Sequence, residues 1–226
     1  HSDGYVRDLR TGEITNESEN FTVRGKLLLQ PTDTFSAIFT VAHAELDDPT
    51  GTISQTLHPA PVLLRGNFGP IATDRFDSSK AQAEMLRTST EEYSARLKLE
   101  TRYGVLSSYT AFLDNSLRNT NDLSATYFPS QITSSTFTET FSQEVNFASL
   151  PDQPLNYVAG VYYFNNQTRA PGSTTNGTPV ASSKSEVESA AAYLDGAYTI
   201  GDLSLIGGLR YSYEKRETAS APDRLQ

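Results

Sequence analysis

The chain has 226 residues, 37% hydrophobic and 20% charged, with a formal net charge of −9. That acidic balance argues against a nucleic-acid partner, because neutralising phosphates takes clustered Lys and Arg. The lack of cysteine excludes a disulfide scaffold, thiolate metal sites and a cysteine nucleophile, and no apolar run of 18 residues exists to form a transmembrane helix.

Gly4 to Arg10 reads as the end of a strand, followed by a polar connection from Thr11-Gly12 to about Ser18. Glu19 to Gln30 then alternates, with Phe21, Val23, Leu27 and Leu29 on one parity and Arg24 and Lys26 on the other. Period two with one oily side is the mark of a strand. Pro31-Thr32-Asp33 turns the chain, since Pro presets φ and Asp bonds its own backbone. Thr34 to Leu46 alternates again, Phe35, Ala37, Phe39 and Val41 sharing one side. From about Asp47 to Thr90 the sequence is irregular and rich in Pro and Gly, and the helix formers in Ser79 to Arg87 predict a short helix there.

Glu91 to Thr101 sets Tyr93, Ala95, Leu97 and Leu99 against Ser94, Arg96, Lys98 and Glu100. Arg102-Tyr103-Gly104 turns it into Val105 to Asp114, where Tyr109, Ala111 and Leu113 share a parity. After a polar loop, roughly Asn115 to Ser135, Thr136 to Ser149 sets Phe137, Phe141, Val145 and Phe147 against Thr138, Thr140, Ser142, Glu144 and Asn146. Pro151-Asp152-Gln153-Pro154 turns the chain into the strand Leu155 to Thr168, and a connection rich in Pro, Gly, Ser and Thr runs from Arg169 to Lys184. The last pair, Glu186 to Ile200 and Leu203 to Arg216, brackets a tight Gly201-Asp202 turn; Leu203, Leu205, Leu209, Tyr211 and Tyr213 oppose Ser204, Arg210, Ser212 and Glu214.

Strands this long exceed the ~5–6 residues usual in globular proteins. Tight connections near Pro31, Tyr103, Asp152 and Asp202 alternate with long ones over 47–90, 115–135 and 169–184. Short turns on one side and long loops on the other are the asymmetry of a bacterial outer-membrane barrel. The expectation is an all-β, antiparallel transmembrane barrel segment of about nine strands, tight turns periplasmic and long loops extracellular. Both ends read as cut, and the first residues lack the basic and apolar regions of a signal peptide. A soluble β-sandwich or propeller stands as the alternative, although its strands are shorter.

Two segments carry the main likeness to a known family. FTETFSQEVNFASLPDQPLNYVAGVYYFNNQ and SAAAYLDGAYTIGDLSLIGGLRYSYEKRE resemble strands of the TonB-dependent outer-membrane receptors, as do ENFTVRGKLLLQPTDTFS and VLSSYTAFLDN. The likeness touches most strands and about 60% of the chain; the long loops match nothing. It implies an open part of a 22-stranded barrel whose lumen holds a plug, with neither the plug nor the closing strand in this stretch. It further implies import of a scarce ligand, a ferric siderophore above all, driven by the TonB-ExbB-ExbD energy system acting through the plug. A porin-like passive channel and a soluble carbohydrate-binding module are the competing readings.

No catalytic constellation is present. His1, His43 and His58 lack the paired spacing of a zinc site, no Gly-x-Ser-x-Gly elbow occurs, and nothing calls for a cofactor. Asp47-Asp48-Pro49-Thr50-Gly51 reads as a solvated turn before it reads as a calcium loop. A charge facing lipid at mid-bilayer costs ~2–4 kcal/mol, so Arg24, Lys26, Arg96, Lys98, Glu144, Arg210 and Glu214 are expected on the lumen or rim. Tyr103, Tyr157, Tyr211 and Tyr213 are expected in the aromatic girdles that meet outer-membrane lipid. Ligand contacts are expected from loop residues, with Arg65, Asn67, Phe68, Tyr127 and Phe128 as candidates.

Overall fold

The structure is a computed structural model that describes residues 1–9, 11–49, 74–78, 84–122, 131–151 and 153–221. Among these, no α-helix occurs. Eight strands form one antiparallel sheet in the order β10-β9-β8-β7-β6-β5-β3-β2. They are β2 (Glu19–Thr32), β3 (Phe35–Asp47), β5 (Met85–Thr101), β6 (Gly104–Asp122), β7 (Gln131–Ser149), β8 (Leu155–Thr175), β9 (Thr178–Ile200) and β10 (Leu203–Ala221). Each strand pairs with its neighbour in the chain, so the sheet is a simple meander. Two-residue strands β1 (Arg7–Asp8) and β4 (Asp77–Ser78) pair in parallel apart from it.

Strands contact only their immediate neighbours, so the large sheet is a single layer. It does not close on itself, β2 and β10 being its outer strands. Only Val6, Ala37, Ala42 and Ala191 are buried apolar residues among those described, whereas Leu209 is 80% exposed. A soluble sandwich would cover one face with a second sheet. Among the described residues no second layer covers this one.

The structure corrects several sequence expectations. The strand expected over Gly4 to Arg10 is reduced to the Arg7–Asp8 bridge, leaving eight strands in the sheet rather than nine. The expected helix at Ser79 to Arg87 fails where it is described: Met85, Leu86 and Arg87 begin β5, because Arg87 pairs with Asp47 of β3 and binds its carboxylate at 2.5 Å. The loop expected over 115–135 shrinks, since β6 runs on to Asp122 and β7 starts at Gln131. The connection expected over 169–184 is a hairpin. Thr175 pairs with Thr178 across Asn176 and Gly177, whose φ values of 51° and 78° make the type I′ turn that Asn-Gly favours. Pro171 and Gly172 sit in a register break of β8, where a missing N–H is tolerated. The turns at Tyr103 and Asp202 are as tight as expected, Thr101 pairing with Gly104 and Gly201 taking φ 57° between Ile200 and Leu203, while Asp152 lies outside the described residues.

Candidate functional site

Register assigns every strand residue to one of two faces. Arg24, Lys26, Arg96, Lys98, Glu144, Arg210 and Glu214 all fall on the same face. One row across it reads Leu28, Ile38, Arg96, Tyr109, Glu144, Tyr162, Ala191, Ser212; its neighbour includes Lys98, Ser107, Asn146, Gly160, Tyr193 and Arg210. Tyr109, Ala111 and Leu113 therefore share the charged face, where the Arg96 guanidinium lies 5.2 Å from the Tyr109 ring centre.

Glu144 is the hub of this face. The Tyr193 hydroxyl donates to its carboxylate at 2.6 Å, and Asn146 Nδ2 donates at 3.3 Å. Tyr193 is on β9 and Glu144 on β7, so the tyrosine side chain crosses β8 to reach it. It crosses at Gly160: a Cβ there would stand 2.5 Å from both Cζ and Oη of Tyr193. Gly208 plays the same part for Asp195, whose Oδ1 would lie 2.0 Å from an added Cβ. Arg210 stacks over Tyr193 at 5.9 Å and donates from Nε to Ser212.

Two open depressions meet at Glu144 and Tyr162. One, about 650 Å³, is lined by Tyr193, Asp195 and Arg210; the other, about 390 Å³, by Lys26, Arg96 and Tyr109. Four of the seven expected charged residues thus converge on one trough. The other three form local pairs: Arg24 with Glu92 at 3.9 Å, Lys98 with Glu100 at 2.7 Å and Glu214 with Arg216 at 2.7 Å. Tyr193, Tyr162, Asp195 and Gly160 were not singled out by the sequence. Their parity relative to Arg210 and Glu144 was the available signal. Arg65, Asn67, Phe68, Tyr127 and Phe128 lie outside the described residues.

The opposite face is apolar along an oblique band. On β2 it runs from Phe21 to Leu29, and on β10 from Leu203 to Tyr213. Following the pairing strand by strand, Phe21 is in the row of Ala219 and Leu29 in the row of Tyr211. The middle of the β2 band therefore maps to Lys215, while the middle of the β10 band is Gly208. The band slips seven residues over seven strand steps, roughly 23 Å along the strands for roughly 34 Å across them. A level apolar slab requires a strand tilt of about 35°, within the ~35–45° of transmembrane barrels.

Three polar residues interrupt the band and satisfy one another. Gln143 accepts from Thr110 Oγ1 at 2.6 Å and donates to Ser108 Oγ at 3.0 Å and to the Glu144 carbonyl at 3.1 Å. Tyr157 and Tyr198 stand on this face toward the tight turns, and Tyr211 and Tyr213 toward the far ends of β10. Tyr103 occupies a tight turn, its ring covered by Arg102 at 4.5 Å. Among the described residues no group of acidic, His or Cys side chains is placed to hold a metal ion. His43 instead binds Glu91 at 2.5 Å.

A family model described as TonB dependent receptor-like, beta-barrel matches residues 11–224. Among solved structures the fold resembles the ferric yersiniabactin uptake receptor FyuA from Yersinia pestis, with a TM-score of 0.70 and 19% identity, covering 96% of this chain and 33% of that one. It also resembles the ferric citrate transporter FecA in its unliganded form, with a TM-score of 0.66 and 14% identity, covering 96% and 34%. The chain spans about a third of the length of either protein. No curated protein matches it.

Proposed function

Because this chain belongs to the TonB dependent receptor-like β-barrel family, we propose that it is one stretch of the wall of an outer-membrane receptor that imports a ferric siderophore. The oblique apolar band carries this reading. A single-layer sheet with one charged and one apolar face is unstable in water, but lipid covers the apolar face and a filled lumen occupies the other. The slip of one residue per strand is what a tilted barrel wall needs if its oily belt is to lie level in a bilayer.

On this reading the tight turns face the periplasm and the opposite strand ends rise outside the cell. The trough around Glu144 faces the lumen, with Lys26, Arg96 and Arg210 supplying the cations and Tyr109, Tyr162 and Tyr193 the hydroxyls for plug and passing ligand. Arg24, Lys98 and Glu214 border it. Extracellular loops make the first ligand contacts, Arg65, Asn67, Phe68, Tyr127 and Phe128 among them. Energy reaches the plug from the TonB-ExbB-ExbD system, and no bond in the ligand is made or broken. The choice of ferric siderophore follows the uptake of ferric chelates named for both similar structures.

The test is uptake of radiolabelled ferric siderophores by cells lacking the whole gene, grown under iron limitation. Loss of uptake of one siderophore, restored by the gene, is expected. Unchanged uptake across a siderophore panel would remove the siderophore reading and leave another scarce ligand.

A further inference from the structure

We propose that Arg87, Arg118, Arg169 and Lys184, a strip of cations on the outward face of β5–β9, dock a glycolipid of the extracellular leaflet whose sugar headgroup carries phosphates or carboxylates; this rests on the membrane reading above. The strip lies on the same face as the apolar band, beyond it toward the long-loop ends of the strands. Arg87 stands directly opposite Arg118, and Arg169 directly opposite Lys184. Like charges placed opposite each other destabilise a sheet. Only β7 lies between the two pairs, with Ser135 beside Arg118 and Phe137 beside Arg169. All four cations are exposed. Every described charged residue of β6–β9 above the Glu144 row is on this outward face; the inward side chains there are Ser, Thr, Asn and apolar ones. Beyond the membrane water reaches both faces of a barrel wall, so solvation alone would not sort the charges to one side. The sorting points to an ionic neighbour outside the wall.

The strip is level with the bilayer. The centre of the apolar band slips one residue per strand from Gly25 to Gly208, and so passes Ala95, Tyr109, Gly160 and Leu194 on β5, β6, β8 and β9. Arg87, Arg118, Arg169 and Lys184 stand eight, nine, nine and ten residues beyond it. At a tilt of about 35° that is roughly 22–27 Å above the centre, or roughly 10–15 Å above the edge of a ~25 Å apolar belt. A phospholipid headgroup layer is only about 5–8 Å thick, so the partner's anions must extend farther, as those on a sugar headgroup do. The strip crosses four strand spacings, roughly 19 Å, wide enough for several anions. Asp47, Glu139 and Glu186 bind Arg87, Arg169 and Lys184. Each carboxylate stands one to three residues lower, so the cations form the upper rim. Exposed pairs of this kind contribute little. Arg87 engages Asp47 through Nε and one terminal nitrogen, and Arg169 engages Glu139 through one terminal nitrogen, leaving N–H groups of each fork for a phosphate. Arg118 binds no carboxylate among the described residues; its guanidinium lies 5.8 Å from the centre of the Phe137 ring.

The test uses the full-length receptor, delipidated in detergent and titrated under native mass spectrometry with deep-rough lipopolysaccharide and, separately, with palmitoyl-oleoyl phosphatidylglycerol. Arg118→Gln and, separately, Lys184→Gln each remove one cation of the strip; Arg102→Gln removes one at a tight turn and serves as the control. Folding of each variant is checked by heat-modifiable migration. The parent and the control are expected to hold lipopolysaccharide alike, and more tightly than phosphatidylglycerol. Each strip variant should bind lipopolysaccharide about five-fold more weakly, the contribution of one cation beside an anionic headgroup layer. Unchanged binding by either strip variant, an equal loss in the control, or a preference for phosphatidylglycerol would overturn the docking strip while leaving the membrane reading intact. So would a parent that needs detergent yet holds no lipopolysaccharide. A receptor soluble without detergent that holds neither lipid would overturn both.

Discussion

Replacing Gly160 with alanine tests the charged-face trough at its most constrained point. Tyr193 lies across β8 with its ring over Gly160 and its hydroxyl 2.6 Å from Glu144, and the new Cβ would stand 2.5 Å from Cζ and Oη. The ring must swing away, and the bond to Glu144 goes with it. A hydrogen bond to a charged group contributes ~1.5–3 kcal/mol. Alanine recovers ~0.5–1 kcal/mol relative to glycine in a strand. The net expectation for Gly160→Ala is a loss of about 1–2 kcal/mol. With Tyr193→Ala already in place the ring is gone, and the same change should stabilise by ~0.5–1 kcal/mol. Thermal unfolding of the receptor in micelles, followed by loss of β-sheet circular dichroism, reads both values. A reversal of sign between the backgrounds is the expected outcome. A substitution that is neutral or stabilising with Tyr193 intact would refute the crossing contact.

Three other predictions concern the faces and the hairpin tip. Val161→Arg, in the middle of the apolar band, should cost ~2–4 kcal/mol, whereas Ser142→Arg on the charged face should cost under about 1 kcal/mol; unfolding of reconstituted receptor compares them. Gly177→Val forces a β-branched residue to the 78° φ of the Asn176-Gly177 turn, so faster hydrogen exchange over 168–185 is expected while the membrane-level strands are unchanged. Thr110→Val with Ser108→Ala removes the donor to the Gln143 side-chain oxygen and one acceptor of its NH2 group on the apolar face, and should destabilise by ~1–3 kcal/mol. Adding Gln143→Leu to those two changes removes all three polar groups together and should restore the parent's stability or better by the same unfolding assay.

Alternation made β2, β3 and β10 legible, because one parity of each is held to apolar residues across the band. It stopped being legible where the strands leave the band. From Thr168 to Ser185 both faces of the β8–β9 hairpin are polar, so no period marks them. The Asn176-Gly177 pair was the signal for a turn there, hidden among Pro171, Gly172 and Pro179. β6 misled differently. Tyr109, Ala111 and Leu113 form the more apolar parity, yet pairing with Arg96, Ser94 and Glu92 places them on the charged face. Local propensity lost to pairing at Met85–Arg87, where Asp47 recruits Arg87 into a strand. The charged members of the trough could be read by exclusion from lipid. Tyr193 and Gly160 could not, since their contact depends on which residues stand opposite across three strands, a matter of register that no single segment encodes.

The depth of two spin labels tests the membrane assignment most directly. Leu27 and Tyr213 lie in the same hydrogen-bonded row of the apolar face. With strands tilted by about 35°, seven strand spacings separate them by roughly 19 Å in depth. The chain contains no cysteine, so Leu27→Cys and Tyr213→Cys introduce the label sites within this wall. Nitroxides on them in the bilayer-reconstituted receptor are compared by collision with oxygen and with a water-soluble nickel chelate. Leu27 a few ångströms from the bilayer centre on the periplasmic side, and Tyr213 near the extracellular headgroups, is the predicted result. Equal depths, or both labels fully exposed to the chelate, would contradict a tilted, lipid-facing wall.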